Sequence, residues 1–269
     1  MPRVICALLL AAQLSSAATI EAALNRMYNF DFRGADREMD TFIGEHPNDP
    51  VGISFRAAAY LFRELDRLAI LEAEFFASDK KILDKKKLTP DAALKERFLA
   101  AIEVSRQKAQ ARLITEPNDK AALFALCLNA GLISDYTALI EKRQLGSLSY
   151  ARESHAYALQ LLKIDPDYAD AYLTTGITEY LLGSVPFFVR WFLRFDEAQG
   201  SKTLAVDRLK LVVKKGQYLG PFAKILLVIV DLREKRPQSA ELRLSELSRE
   251  FPENQLFQRE LQKLRPKIK

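Results

Sequence analysis

The chain has little of what most catalytic and metal centres are built from. Its 269 residues include 2 cysteines, 2 histidines and a single tryptophan. A zinc site of the usual kind draws three or four ligands from Cys and His at set spacings, and no His-Glu-x-x-His helix is present. His46 and His155 fall on different predicted helices; His46 precedes Pro47 at a helix end, where it meets the negative end of the helix dipole. No glycine-rich phosphate loop and no Gly-x-Ser-x-Gly elbow occur, so the commonest nucleotide and hydrolase signatures are absent. Glu153 and Glu179 are carboxylates on predicted helices, where acids are ordinarily solvated, and Cys127 reads as a buried thiol. The composition points away from an enzyme and implies no cofactor or metal. Charge of one sign is not concentrated either. The net charge is +5 and the pI is near 9.1, but basic and acidic residues are interspersed, without the basic stripe that nucleic-acid binding requires.

What is abundant is helix-forming sequence. With only 10 Gly and 11 Pro, 49% hydrophobic and 28% charged residues, the chain favours long helices around a buried core. The first 18 residues read as a signal peptide, leaving 19–269 as one helical domain. Arg3 precedes a short apolar run from Val4 to Leu14, and small residues follow at Ser15 to Ala18. Cleavage after Ala17 or Ala18 places the protein in the bacterial periplasm or outside the cell, with an uncleaved membrane anchor as the alternative. Cleavage also removes Cys6, so no intramolecular disulfide remains.

Four prolines close helical runs in similar settings: Pro47, Pro117, Pro166 and Pro252. Twelve residues before each stand Ala35, Ser105, Ser154 and Ala240, all small. Ten residues after the first three stand Ala57, Cys127 and Gly176, again small, and six after them Ile53, Leu123 and Tyr172, all large. Small residues at fixed points let two helices approach closely, and the large ones fill the space between neighbours. In the stretch Asp165–Gly183, Pro166 stops one helix, Asp167 is a candidate N-cap, and Gly183 is expected at a helix end with positive φ.

This register resembles the tetratricopeptide repeat family, in which a hairpin's first helix carries a large residue and then a small one four later. The best matches are Tyr172/Gly176/Gly183, Ala57 with Tyr60, and Ala35/Pro47. The resemblance covers most of the chain after residue 18. The prolines lie 70, 49 and 86 residues apart rather than 34, so insertions or over-long helices separate the units. It implies an all-α solenoid of about five hairpins with a C-terminal capping helix, and a role in binding a protein or peptide. An irregular helical array is the alternative architecture. The predicted helices are Ile20–Phe30, Ala35–Glu45, Val51–Ala77, Asp91–Thr115, Lys120–Leu132 with a further turn to Gln144, Leu148–Ile164, Tyr168–Leu182, Thr203–Lys215, Phe222–Arg233, Ser239–Phe251 and Asn254–Leu264.

Two segments break the pattern. Asp79–Lys87 holds five lysines and reads as a solvated linker, with an anionic contact as the alternative. The other is an aromatic insertion at about 184–199 with the only Trp and four Phe. On a helix Phe187, Trp191 and Phe195 share one face with Phe188 beside them, and Arg190 and Arg194 lie one turn apart on another. It reads as core, as a wedge for a partner's groove, or as an interfacial membrane helix. The family resemblance implies a second partner surface on the concave face, carried by Ser54, Ala58 and Leu61, by Phe124, Leu128 and Gly131, and by Leu173, Ile177 and Tyr180. These positions lack the Lys and Asn with which chaperone-binding members grip a carboxylate, and their apolar character points to burial or to an apolar partner. The function this implies is a non-enzymatic scaffold or adaptor in the cell envelope, with a membrane-peripheral assembly factor docking through Phe187–Phe195 as the alternative and a helical enzyme third.

Overall fold

The computed structural model describes residues 18–72, 88–186, 193 and 195–267. The expected signal sequence up to residue 17, the lysine run Asp79–Lys87, and Phe187, Phe188, Arg190, Trp191 and Arg194 lie outside the described residues. Among the described residues the regular structure is entirely helical, so the chain is all-α. Among the described residues eleven α-helices follow one another: α1 Ile20–Tyr28, α2 Phe32–Glu45, α3 Pro50–Arg67, α4 Ala92–Thr115, α5 Lys120–Asp135, α6 Gln144–Ile164, α7 Ala171–Ser184, α8 Lys202–Lys215, α9 Gly220–Arg233, α10 Pro237–Glu250 and α11 Gln255–Leu264. A π-helical turn, Tyr136–Ile140, extends α5, and a 3-10 turn follows α11.

Each helix packs chiefly on its sequence neighbours, most closely in the pairs α1–α2, α3–α4, α5–α6, α7–α8 and α9–α10, with α11 on α10. The odd helices α1, α3, α5 and α7 also touch in series. The proline register explains the pairing. Ala35, Ser105, Ser154 and Ala240 are all buried, as are Ala57, Cys127 and Gly176. Small faces small: Ser154 Oγ donates to the Cys127 carbonyl at 2.8 Å, and a Cβ added to Gly176 would lie 3.4 Å from the Ala205 carbonyl oxygen. The Pro-Asn-Asp turns work as starts as well as stops. Asp49 and Asp119 cap α3 and α5 by accepting the Val51 and Ala122 amides, each cap worth about 1 kcal/mol.

The first and last described helices come together. Tyr28 of α1 packs on Phe251 with ring centroids 5.3 Å apart, and the buried Asn254 amide donates to the Tyr28 carbonyl at 2.7 Å. Gln217 reaches Glu21 at 3.0 Å, and Phe62 of α3 meets Phe222 of α9 edge-on at 5.5 Å. At the centre Tyr218 lies between Phe55 and Phe124, at 5.2 and 6.1 Å. The carboxylate of Asp170 holds that turn by accepting the amides of Gln217, Tyr218 and Leu219. Desolvation there pushes the Tyr218 phenol up to about 12.

Three local expectations are corrected. The helix expected to reach Ala77 ends at Arg67, because Ala69 turns left-handed (φ 54) and Ile70 bonds back to the Leu65 carbonyl. Gly183 is not left-handed but lies inside α7; its missing side chain makes room for the Gly200 carbonyl, 2.8 Å from where a Cβ would sit. The N-cap position of α7 belongs to Asp170 rather than Asp167, and its side chain serves the Tyr218 turn instead of the helix. Scarce glycine leaves other helix ends to ordinary residues: Phe30, Lys142 and Lys235 all take positive φ.

Candidate interaction surfaces

Most of the positions expected on a concave face are packed within the chain, with Leu128, Gly131 and Ile177 half-buried. Phe124, Leu173 and Tyr180 are buried and Ile177 is half-buried against the same core. Phe124 packs on Phe55, Tyr168 and Tyr218, and the Tyr180 hydroxyl donates to Glu234 at 3.1 Å. Ser54, Ala58 and Leu61 are buried too. Ser54, Ser105 and Asn129 form a closed network between α3, α4 and α5, with O···O and N···O distances of 2.8 to 2.9 Å. A polar group that finds all its partners inside stabilises one register of three helices rather than a ligand.

α5 and its π turn, Lys120–Ile140, form the one stretch among the described residues long and apolar enough to cross a membrane, with mean hydropathy 1.6. It is mostly buried, packed between α4, α6, α3 and α7.

The described legs of the aromatic insertion are fastened by polar side chains, two of them buried. Glu179 of α7, 0% exposed, accepts the Ser201 amide at 2.8 Å and the Gln199 amide at 3.1 Å, with Arg208 of α8 at 3.4 Å. On α6, Arg152 donates to the Leu193 carbonyl at 3.0 Å and His155 Nε2 to the Asp196 carbonyl at 2.8 Å. A carbonyl can only accept, so His155 is the Nε2–H tautomer, and its Nδ1 is a buried acceptor without a partner among the described residues. Burial depresses the His155 pKa, so the ring is neutral at pH 7. Phe195 stands edge-on to that ring at 5.6 Å.

The α3–α4 hairpin has a similar device, which the sequence reading did not find. Glu64 of α3, 2% exposed, accepts the Asp91 amide at 2.8 Å, just as Glu179 accepts that of Ser201, and each amide belongs to the N-cap of the next helix. Arg67 grips Glu64 with two bonds of 2.8 Å and reaches the Thr89 carbonyl at 2.7 Å. The available signal was an acid within an apolar helix run, as in Thr-Thr-Gly-Ile-Thr-Glu179-Tyr-Leu-Leu. Beside the Glu64 latch lies a half-open cleft of about 500 Å³, lined by Phe32, Ala93 and Leu94 and by Arg63, Arg67, Arg97, Asp66 and Asp91. Arg56, Tyr60, Arg63 and Arg67 recur at i, i+4, i+7 and i+11, one face of α3. Arg67 is engaged by Glu64, Arg63 lies 3.9 Å from Asp36 and also acts on Asp91, and Arg97 acts on Asp36.

Cys127 is buried between Thr174 at 3.3 Å and Ser154 at 3.6 Å, and desolvation raises its thiol pKa, which opposes thiolate formation. The described residues contain no group of three His, Cys, Asp or Glu placed to hold a metal ion. No family model, no curated protein and no solved structure matches the chain.

Proposed function

We propose that the chain is a non-enzymatic protein–protein interaction scaffold of the tetratricopeptide type, acting in the bacterial cell envelope. The observation that carries this reading is the repeated register. Small residues twelve before and ten after successive prolines are buried where paired helices meet, and the helices pack consecutively as five pairs with a terminal helix. Folds of stacked helix pairs present broad, rigid surfaces and bind partners without turnover. With the inner face occupied by the chain's own aromatic rings, partner contact falls to the outer surfaces and to the Phe187–Phe195 segment with Arg190 and Arg194.

Capture from native envelopes tests the reading. Wild type is compared with a Phe187→Ser, Trp191→Ser, Phe195→Ser triple variant whose fold is checked by circular dichroism. A protein captured stoichiometrically by wild type and lost by the folded variant supports a scaffold acting through the insertion. Flotation of wild type with phospholipid vesicles, lost in the variant and with no protein captured, replaces the scaffold reading with a membrane-peripheral role.

A further inference from the structure

The connection between α7 and α8 is tied to α6 by three side chains. Arg152 donates to the Leu193 carbonyl at 3.0 Å, His155 Nε2 donates to the Asp196 carbonyl at 2.8 Å, and Lys163 pairs with Glu197 at 3.2 Å. Their spacing, i, i+3 and i+11, keeps them on one stripe of the helix. Arg152 and Lys163 are exposed, whereas His155 is 2% exposed, with the Phe195 ring edge-on at 5.6 Å. Three charged groups act on the imidazole: Arg208 of α8, Glu179 of α7 and Asp196 of the connection. From α5 comes the Cys127 thiol, 3.6 Å from the hydroxyl of Ser154, the residue before His155. Glu179 is already committed to the Gln199 and Ser201 amides and to Arg208.

We infer that Phe195, Asp196 and Glu197 form an acid-released strap: they leave α6 when the His155 ring takes up a proton, while Glu179 keeps Gln199 and Ser201 in place. The neutral ring has one donor, Nε2–H, and that donor is satisfied. Its Nδ1 is buried without a partner among the described residues, so protonation puts an N–H where no described group accepts it. The new charge also meets the Arg208 guanidinium, and the Glu179 carboxylate that could offset it is shared among three donors. Burial is the largest influence and, with Arg208, holds the pKa of the covered ring below 6.5. Because α6 is packed against both α5 and α7, the ring reaches water by losing its cover rather than by moving. That cover is light, since Phe195 is half-buried and Asp196 and Glu197 are exposed. Histidine is the one residue type in these ties whose ordinary pKa lies between pH 5 and 8. The closed strap is fully favoured above about pH 6.5, where an uncovered ring is neutral too. It loses ground between that value and the lower pKa of the covered ring. The inference stands apart from the scaffold reading, because it needs no partner.

The test is NMR of the full chain from pH 7.5 down to pH 4.5. It follows the ring-to-ring contact of His155 with Phe195 and the backbone relaxation of Asp196, Glu197 and Ala198. With only two histidines in the sequence, His155→Gln identifies the His155 signals by their loss. At pH 7.5 the contact is expected and the three amides are as ordered as the flanking helices. As the ring protonates, the contact is lost and the three amides gain fast motion, while Gln199 and Ser201 keep their exchange protection. His155→Gln retains a donor for the Asp196 carbonyl and takes up no proton, so its three amides stay ordered across the range. If that variant lets go at pH 7.5, the wild-type titration decides alone, because contact and protonation are read in the same spectra. Contact retained with a protonated ring overturns the inference, and so does a ring that stays neutral to pH 4.5. Release at acid pH in His155→Gln as in wild type overturns it too. Loss of Ser201 protection together with the contact also does so, since the whole hairpin then opens rather than the strap.

Discussion

The α3–α4 and α7–α8 hairpins both carry long connections, residues 68–91 and 185–201, and both close them with a buried glutamate on the first helix. The two latches differ in what surrounds them. Arg67, paired with Glu64, is 44% exposed and keeps access to water, whereas Arg208, beside Glu179, is 21% exposed. The connections differ as well. The later one is tied to α6 at Leu193 and Asp196 by Arg152 and His155; beside the earlier latch the described residues line a cleft. A long connection within a helical hairpin is thus tolerated when one carboxylate secures the N-cap amide where the connection ends. Loop length alone adds little closure entropy, so the latch matters more than the number of residues spanned.

Removing the latches gives the largest expected effects. Glu179→Ala leaves two amides and a half-buried guanidinium without their acceptor and costs about 3 kcal/mol. Glu64→Ala costs less, about 2 kcal/mol, because Arg67 can turn to solvent. Chemical denaturation of both variants checks the order, and an equal or reversed cost would show that exposure of the arginine partner is not the deciding difference. The seam between α1 and the start of α11 comes next. Asn254→Ala loses the α11 cap and the bond to the Tyr28 carbonyl, about 2 kcal/mol, with a matching fall in midpoint.

His155 ties only the later hairpin to the α6 surface, so pH separates the two regions. Its folded pKa lies below the ordinary value of 6.5, so the unfolded chain takes up more protons as pH falls through that value. The contribution of His155 to stability is therefore present above about pH 6.5 and declines below it. Thermal melts at pH 7 and pH 5.5 should show wild type losing that contribution relative to His155→Gln, so the difference between the two narrows at the lower pH. The smallest effect concerns the stop that ends α3. Ala69 holds φ 54 without being glycine, so Ala69→Gly should stabilise by about 0.5 kcal/mol after the added unfolded-state entropy.

Much of this fold is legible in the chain because it is written in local grammar. The Pro-Asn-Asp turns, the small residues at fixed offsets and the runs of helix formers place helices such as α4 and α11 to within a residue or two. The end of α3 was not legible, because a left-handed alanine carries no signal of the kind glycine gives. Gly183 misleads in the opposite sense: it serves a close approach to Gly200 from a distant loop, which only the assembled hairpin reveals. The same limit applies to the surfaces. The Phe187–Phe195 stretch stands out by composition. The latch glutamates and the Arg63–Arg97 cleft depend on partners 27, 22 and 34 residues away, and no spacing rule joins them.

Residue-resolved amide exchange on wild type, Glu64→Gln and Glu179→Gln tests the paired-latch account most directly. The account predicts that Asp91 loses protection in Glu64→Gln alone, and Gln199 and Ser201 in Glu179→Gln alone, while the helix interiors keep theirs. Undiminished protection of those amides in both variants, or loss spread evenly through the helices, would contradict it.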